Sequence, residues 1–248
     1  RMVIDQDQQT EASLAYDCSC SGKGGYGRRI LQGGFVAFEH YCYCPTGRGV
    51  LLYHKREMDA ATAKNQEATI ATAWNQSGIP KRFQGFTLES SPNSISPASD
   101  SPESWFFWGE VGTGKTGLAV GYARNLLEAG MVAQILFVSV PDLLSELRDT
   151  YNDENASELA IIKRYVEAEL LILDDLGAEQ GKGLEWIQDR LYQIIGKRHG
   201  EMRPTIFTSN YSLADLGTRL GARIAWRIRE SVGQGNILEI AGPNLRDR

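Results

Sequence analysis

The sequence lacks the features of a membrane-bound or exported protein. Its longest apolar runs, at 105–108 and 170–173, are the size of a strand, whereas a membrane-spanning helix needs roughly 18 apolar residues or more. The N-terminus has no basic region followed by an apolar stretch, which is the pattern of a secretory signal. We therefore expect a cytoplasmic protein without a membrane partner.

An excess of positive charge is also missing. The 26 basic and 31 acidic residues give a formal net charge of −5, which argues against a protein that coats nucleic acid by bulk charge. DNA binding through a local basic strip, such as one lining the pore of a ring, is still compatible with this charge.

Cysteine is scarce, and all four cysteines lie in the first 44 residues in two close pairs, Cys18 with Cys20 and Cys42 with Cys44. In a chain without an export signal, this pattern favours a metal site over disulfides. Four thiolates from two hairpins can close a tetrahedral Zn²⁺ site, and His40 could replace one of them. An iron–sulfur cluster and four unligated cysteines are the alternatives.

Three parts follow one another along the chain. Residues 1–56 contain every cysteine and predict a small zinc-binding module of strands and turns, including a turn at 47–49. Residues 57–78 form a linker, in which Ala, Gln, Glu and Thr without Gly or Pro predict a helix over 57–76. Residues 79–248 form the main domain.

Apolar strands alternate with helices from residue 105 onward. The predicted strands lie near 105–108, 133–140, 169–174, 204–208 and 236–240. This alternation predicts an α/β fold with a parallel sheet covered by helices on both faces. The bulky aromatic residues at 105–108 are interpreted as core packing.

A glycine-rich loop follows the first of these strands. Its sequence, GEVGTGKT at 109–116, matches the pattern G-x-x-x-x-G-K-[ST] between a strand and a helix. Such loops present backbone N–H groups to phosphates; Lys115 would bind the β- and γ-phosphates of ATP, and Thr116 would bind Mg²⁺. The predicted nucleotide-binding residues are Gly109, Glu110, Val111, Gly112, Thr113, Gly114, Lys115, Thr116 and Gly117.

Two carboxylates end the apolar strand near 169–174. Asp174 would hold Mg²⁺ from its second shell, and Asp175 would orient or deprotonate the attacking water. Taken alone, two such residues often only cap a turn. Asp175 is one methylene shorter than the glutamate that most P-loop ATPases of this kind use, so we expect hydrolysis to need a relayed water or the partner subunit.

A further polar strand end lies at Asn210, which can bond the γ-phosphate or the attacking water. The alternative is that Ser209 or Asn210 caps the next helix. Beyond it, Arg219, Arg223 and Arg227 are spaced to share one helical face. This row is either a solvated basic face or an arginine finger for the γ-phosphate of a neighbouring subunit.

Together these motifs resemble the DnaC/DnaI/IstB family of AAA+ ATPases, the bacterial helicase loaders and their transposition relatives. The similarity rests on GEVGTGKT, LLILDDLG (170–177), IFTSNYSL (206–213) and GARIAWRIRE (221–230), and it covers roughly 79–248. It implies that 79–88 wraps the adenine side of the nucleotide. It also implies that Arg227 is the arginine finger, with Arg223 beside it, and that Arg246 is a terminal sensor arginine.

The resemblance further implies a homo-oligomer, either a ring or a helical assembly, with ATP at the subunit interfaces. The segment 141–168 resembles the helical insertion of the initiator and loader clade, and only about 21 residues follow Arg227, too few for the usual helical lid. Both features fit a loader.

Three functions are compatible with these residues. The first is a helicase loader that binds a hexameric DnaB-type helicase through 1–56 and places it on single-stranded DNA. The second is an IstB-like transposition ATPase that assembles on duplex DNA and recruits a transposase. The third is a scaffold that binds ATP but barely hydrolyses it. The basic pairs 163–164 and 197–198 are either DNA contacts or solvated surface residues.

Overall fold

The computed structural model describes residues 25–30, 36–41, 45–90, 95, 101–152, 156–178 and 183–245. The chain divides into two compact units, Arg1–Ala68 and Thr69–Arg248. This division falls inside a helix, α1 (Pro45–Gln76). The boundaries at 56 and 78 that the composition suggests stay a prediction.

The described part of the first unit contains a small antiparallel sheet. Its strands are β1 (Gly25–Ile30) and β2 (Val36–Tyr41). The helix α1 then begins at Pro45, where a proline suits the first turn, rather than near residue 57. The predicted turn at 47–49 is therefore wrong, because both of its glycines lie inside this helix. A glycine there costs about 1 kcal/mol, which a 32-residue helix tolerates.

The second unit is built on a five-stranded parallel sheet, which confirms the predicted α/β fold. Its strands in chain order are β3 (Trp105–Trp108), β4 (Ile135–Ser139), β5 (Leu170–Leu176), β6 (Thr205–Ser209) and β7 (Ile237–Glu239). Their spatial order is β4-β5-β6-β3-β7. The strands β3 and β5 both lie against β6, so their carboxyl ends meet at one edge of the sheet.

Six helices accompany this sheet in the described part of the second unit. They are α2 (Lys115–Glu128), α3 (Val140–Asp149), α4 (Glu158–Glu167), α5 (Leu184–Gly200), α6 (Leu213–Leu220) and α7 (Ala222–Val232). Three begin at a serine whose hydroxyl accepts the backbone N–H three residues on, at 3.2–3.3 Å: Ser139, Ser157 and Ser212. These caps explain why the helices start where they do.

Two hydrophobic layers cover the sheet. Phe106 packs with α3, α5, α6 and α7, whereas Trp105 and Phe107 pack with α2 on the other face. The ring of Trp105 stacks on Phe107 with centroids 5.7 Å apart and meets Tyr122 edge-on at 5.9 Å. The interpretation of this aromatic strand as core packing is confirmed.

Of the two basic pairs, Lys163 and Arg164 are surface residues, as one alternative predicts, whereas Arg198 of the second pair fits neither alternative. Arg198 is only 1% exposed, so it is a core residue and cannot contact DNA. Arg164 pairs with Glu146 at 2.6 Å and donates to the Tyr165 hydroxyl at 2.9 Å. The two lysines, Lys163 and Lys197, are exposed at the surface.

Candidate nucleotide site

The phosphate loop connects β3 to α2 through a backbone that only glycine adopts readily. Gly109, Gly112 and Gly114 have φ values of 143°, 86° and 95°. At Gly114 the chain enters α2, so the free N–H groups and the positive end of the helix dipole face the same cleft. The local geometry therefore suits bound phosphate.

Lys115, at the start of α2, is buried against this loop. Its ammonium group donates to the carbonyl oxygens of Gly109 at 2.9 Å and Glu110 at 2.7 Å. These contacts hold the positive charge at the mouth of the loop, where phosphate oxygens would be the stronger acceptors. Its position matches the predicted role.

Three oxygen-bearing side chains meet beside the loop. Thr116, Asp174 and Thr208 come from α2, β5 and β6, and both hydroxyls donate to Oδ1 of Asp174, at 2.8 Å from Thr116 and 2.6 Å from Thr208. Hydroxyl and carboxylate oxygens are ligands that Mg²⁺ prefers, and Mg²⁺ takes its other ligands from phosphates and water. The residues present therefore fit the metal. Sequence reasoning missed Thr208, although it lies on β6 only two residues before Asn210.

Burial makes the carboxyl group of Asp174 unusual. Desolvation raises the pKa of Asp174, and the hydrogen bonds from Thr208 and Thr116 lower it only in part. A nearby divalent cation would favour the ionised form strongly in such surroundings.

Asp175 follows in a strained conformation. Its φ is 59°, and the pairing of β5 with β6 is irregular between Leu173 and Leu176. Its N–H donates to Oγ1 of Thr208 at 2.9 Å, and its Oδ1 accepts from Nδ2 of Asn210 at 3.0 Å. A bulge and a left-handed residue at this point turn the carboxylate into the cleft instead of into the sheet.

Asn210 does not cap the following helix. The cap of α6 is Ser212, whose hydroxyl accepts from Asp215 N–H at 3.2 Å. Ser209 is buried, and its hydroxyl donates to the Leu176 carbonyl at 2.6 Å. The structure thus brings Asn210 to Asp175, at the edge of the cleft.

The segment before β3 forms the other wall of the cleft. Phe83 and Phe86 lie with ring centroids 5.9 Å apart, and Arg82 lies 4.4 Å over the Phe83 ring. A Cβ atom at Gly117 would stand 2.5 Å from the Phe86 ring, so glycine is needed for this close approach. An aromatic wall of this kind suits the flat face of a nucleotide base.

One wall of the cleft has no counterpart in the sequence prediction. The backbone N–H of Leu245 donates to the Gly112 carbonyl at 2.9 Å, and the Leu245 side chain lines the cleft. The predicted sensor Arg246 follows it but lies outside the described residues. The cleft as a whole measures about 500 Å³ and is lined by Arg82, Phe83, Phe86, Val111, Gly112, Gly114, Lys115, Thr116, Gly117, Asp174, Asp175, Thr208, Asn210 and Leu245.

The predicted single row of three arginines is wrong. Gly221, with a φ of 93°, separates α6 from α7, so Arg219 lies on one helix and Arg223 and Arg227 on the next. Arg219 lies 4.0 Å over the Tyr211 ring and donates to the Gly177 carbonyl at 3.1 Å. Arg223 and Arg227, one turn apart on α7, remain the predicted pair.

The predicted zinc site cannot be placed, because Cys18, Cys20, Cys42 and Cys44 lie outside the described residues. Within the described ranges, no group of three or more His, Cys, Asp or Glu side chains is arranged to hold a metal ion. No helix in the same ranges is long and apolar enough to cross a membrane.

Comparison with known proteins places these features in a family. The sequence profile described as IstB-like ATP binding protein matches residues 100–246. The replicative helicase loader DnaC of Escherichia coli (strain K12) is 26% identical over 202 residues, which cover 74% of this chain and 81% of that protein. A crystal structure of DnaI is 27% identical with a TM-score of 0.54, covering 68% of this chain and 95% of the other.

A crystal structure of the DnaC helicase loader gives a TM-score of 0.53 at 26% identity, covering 65% of this chain and 100% of the other. The family profile spans more than half of the chain and includes the phosphate loop, Asp174, Asn210 and Arg227. The resemblance seen in the sequence motifs is confirmed: the chain belongs to the IstB-like ATP-binding proteins, within the DnaC/DnaI/IstB group of AAA+ ATPases.

Proposed function

We propose that the protein is an ATP-dependent helicase loader, which binds a hexameric DnaB-type helicase and delivers it to single-stranded DNA. One observation carries the proposal: the similarity to DnaC extends over 74% of the chain, well beyond the motifs that all P-loop proteins share. The assembled nucleotide cleft supports the ATP-dependent part.

Each step of ATP hydrolysis in this cleft depends on a particular side chain. Lys115 binds the β- and γ-phosphates, while Thr116 and Asp174 hold Mg²⁺, which neutralises phosphate charge when bound. Asp175 accepts a hydrogen bond and then the proton from the attacking water. The Asn210 amide, which already donates to Asp175 at 3.0 Å, orients that carboxylate, and its second N–H can reach the water. Loss of turnover in Lys115→Ala is the simplest check.

The pair Arg223 and Arg227 acts on a second subunit. Neither residue is among the described residues that line the cleft of its own chain, although both carry the fixed positive charge that a γ-phosphate needs. A homo-oligomer, ring or helical, with ATP between subunits accounts for this separation. In that assembly Arg246 serves as a sensor for the nucleotide.

In this proposal the helicase binds the N-terminal part of the chain. The four cysteines hold a zinc ion that stabilises the fold of residues 1–56. Supporting this, three consecutive large residues of α1 are exposed: Leu51, Leu52 and Tyr53. Consecutive helical residues point in different directions, so these side chains lie on more than one face of α1. A group of exposed apolar side chains typically marks a protein-binding surface.

The helicase assignment is tested by capture of a DnaB-type helicase from the native host in the presence of ATP. We expect Leu52→Glu combined with Tyr53→Glu to reduce capture at least 10-fold, because two charges would have to be desolvated in the interface. Lys64→Glu on the same helix is the control and should bind normally. Equal capture by both variants would remove α1 from the interface.

Single-stranded DNA binds, we propose, at an aromatic cluster between the helical insertion and α5. This Trp186 cluster consists of Tyr151, Trp186, Arg148 and Arg190. The indole Nε1 donates to the Tyr151 hydroxyl at 2.8 Å, and Arg148 and Arg190 lie 5.1 and 5.6 Å from the Trp186 ring. Tyr151 is 63% exposed and so offers a ring face for base stacking beside the positive charge of Arg148, whereas Arg190 is paired with Glu158.

Tyr151→Ala is expected to weaken single-stranded DNA binding by about 5- to 150-fold, since stacking contributes roughly 1–3 kcal/mol per base. Fluorescence anisotropy with a labelled oligothymidine, at fixed salt and with ATP, measures the effect. Leu159→Ala is the control, because Leu159 is also exposed in the insertion but has no ring to stack. Equal losses in both variants would mean that the cluster is not the DNA site.

The second candidate function is an IstB-like transposition ATPase, and the family match at 100–246 favours it. It predicts preferential assembly on duplex DNA and recruitment of a transposase. Tighter binding to duplex than to single-stranded DNA, together with no helicase capture, would replace the loader assignment with this one.

A further inference from the structure

Tyr192, on α5, is the side chain that links the two arginines of α7. Arg223 lies 4.3 Å over the Tyr192 ring, within the range of a cation–π contact. Interaction with Arg227 first and with Arg223 second lowers the pKa of the Tyr192 hydroxyl. One aromatic side chain therefore interacts with both guanidinium groups.

Arg227 is held from a second side as well. Its Nη1 donates to Oε2 of Glu230 at 2.7 Å, one turn further along α7. The backbone of the same turn is tied to α5, because Ser231 Oγ donates to the Arg227 carbonyl at 2.8 Å and lies 3.2 Å from Nδ1 of His199. The orientation of α7 and the orientation of Arg227 thus depend on the same helix.

Two neighbouring guanidinium groups repel each other, and each long side chain loses rotamer freedom when it is ordered. A tyrosine whose ring is covered by one cation and whose hydroxyl interacts with both reduces the repulsion and the loss of rotamer freedom before a phosphate binds. Fixed donors stabilise a transition state better than donors that must be ordered during the reaction.

We infer that Tyr192 is a positioning residue for ATP hydrolysis in the neighbouring subunit: it holds Arg223 and Arg227 as a preorganised pair. The inference rests on the proposed sharing of ATP between subunits. Tyr192 does not touch the nucleotide itself. The hydroxyl and the ring both contribute, so Tyr192→Phe removes the first contribution and leaves the ring beneath Arg223 in place.

A mixed-subunit assay tests this in the full-length protein. Donor subunits carry Lys115→Ala and cannot use their own ATP but supply the arginines. Acceptor subunits carry Arg223→Ala with Arg227→Ala, and bind ATP but lack the arginines. Each alone should be inactive, and the mixture should regain ATP turnover at the interfaces where a donor faces an acceptor.

Tyr192→Phe is then added to one kind of subunit at a time. In the donor we expect the regained kcat to fall about 10-fold with little change in KM, and Tyr192→Leu, which also removes the ring, to reduce it further. In the acceptor we expect no change, because that subunit has lost the arginines that its tyrosine would hold. Thermal unfolding of each variant excludes a loss that comes only from misfolding.

The possible failures are distinct. If the parent mixture regains no turnover, ATP is not shared between subunits, and the proposed assembly and the inference fall together. If the parent mixture is active but Tyr192→Phe in the donor has no effect, only the role of Tyr192 is overturned. An equal loss from Tyr192→Phe in donor and acceptor would likewise overturn it, since a general structural role explains that result.

Discussion

Asp174→Asn is expected to lower ATP turnover by about 10- to 100-fold, as is usual when a group that supports a metal ion is changed. The same substitution is expected to raise the free energy of unfolding of the nucleotide-free protein. The amide would keep an oxygen that can accept from Thr116 and Thr208, whose hydroxyls now lie 2.8 and 2.6 Å from the carboxylate, but it would not carry a charge into the interior.

The sign of this stability change follows from the pKa of Asp174, which burial raises above its ordinary value in the folded protein. Between the unfolded and the folded pKa, the folded state binds more protons, so stability falls as the pH rises through this window. The loss persists at every pH above this window, and Asp174→Asn avoids it.

Urea unfolding without Mg²⁺ or nucleotide measures the effect. The advantage of Asp174→Asn should be largest above the raised pKa and should shrink as the pH falls through it. Asp189→Asn, at an exposed position of α5, is the control for both turnover and stability. A less stable Asp174→Asn protein at pH 7 would show that the charge contributes to folding even without the metal.

Arg198→Met is expected to reduce the free energy of unfolding by about 3 kcal/mol or more. The Arg198 guanidinium is surrounded by oxygen acceptors: its Nη1 donates to the carbonyls of Tyr165, Val166 and Ala168 at 2.7–3.0 Å. Its Nη2 donates to the Pro204 carbonyl at 2.6 Å, and its Nε donates to Thr205. Each buried carbonyl that loses its partner costs about 1–3 kcal/mol.

Through these hydrogen bonds Arg198 joins the end of α4 to the start of β6. Its acceptors are four backbone carbonyls and one hydroxyl. Burial, followed by the charge of Arg203, lowers the pKa of Arg198 to about 9, so the group stays protonated at pH 7. Lys197→Met is the matched control, because Lys197 is adjacent but exposed and should change stability by no more than about 0.5 kcal/mol. Similar losses from both variants, in chemical unfolding curves, would contradict the buried role.

Much of the nucleotide site is local in sequence, and the sequence therefore predicts it. The loop at 109–116, the strand that ends at Asp174 and the polar end at Asn210 each depend on neighbouring residues only: glycine spacing, an apolar run and the change to polar side chains. Since parallel strands bring their carboxyl ends together, the meeting of these segments at one edge of the sheet follows from the fold class alone.

Other features depend on residues that are distant in sequence, and only the tertiary structure decides them. The sequence suggests that Arg198 is half of a surface pair. The fold instead surrounds it with carbonyl oxygens from the end of α4 and the start of β6. Arg219, Arg223 and Arg227 have the spacing of one helical face, but the chain breaks the helix at Gly221, where φ is positive. The spacing alone does not reveal this break.

The nucleotide site also combines properties that the sequence determines with contacts that only the tertiary structure decides. Its glycines and Lys115 determine that phosphate can bind, because their backbone freedom and charge belong to the residues themselves. Other contacts join distant segments of the chain. They are those of Leu245 with the phosphate loop, of Thr208 with Asp174 and of Arg223 with the Tyr192 ring. Packing decides such contacts, since one residue type can be surface or core according to what the fold brings against it.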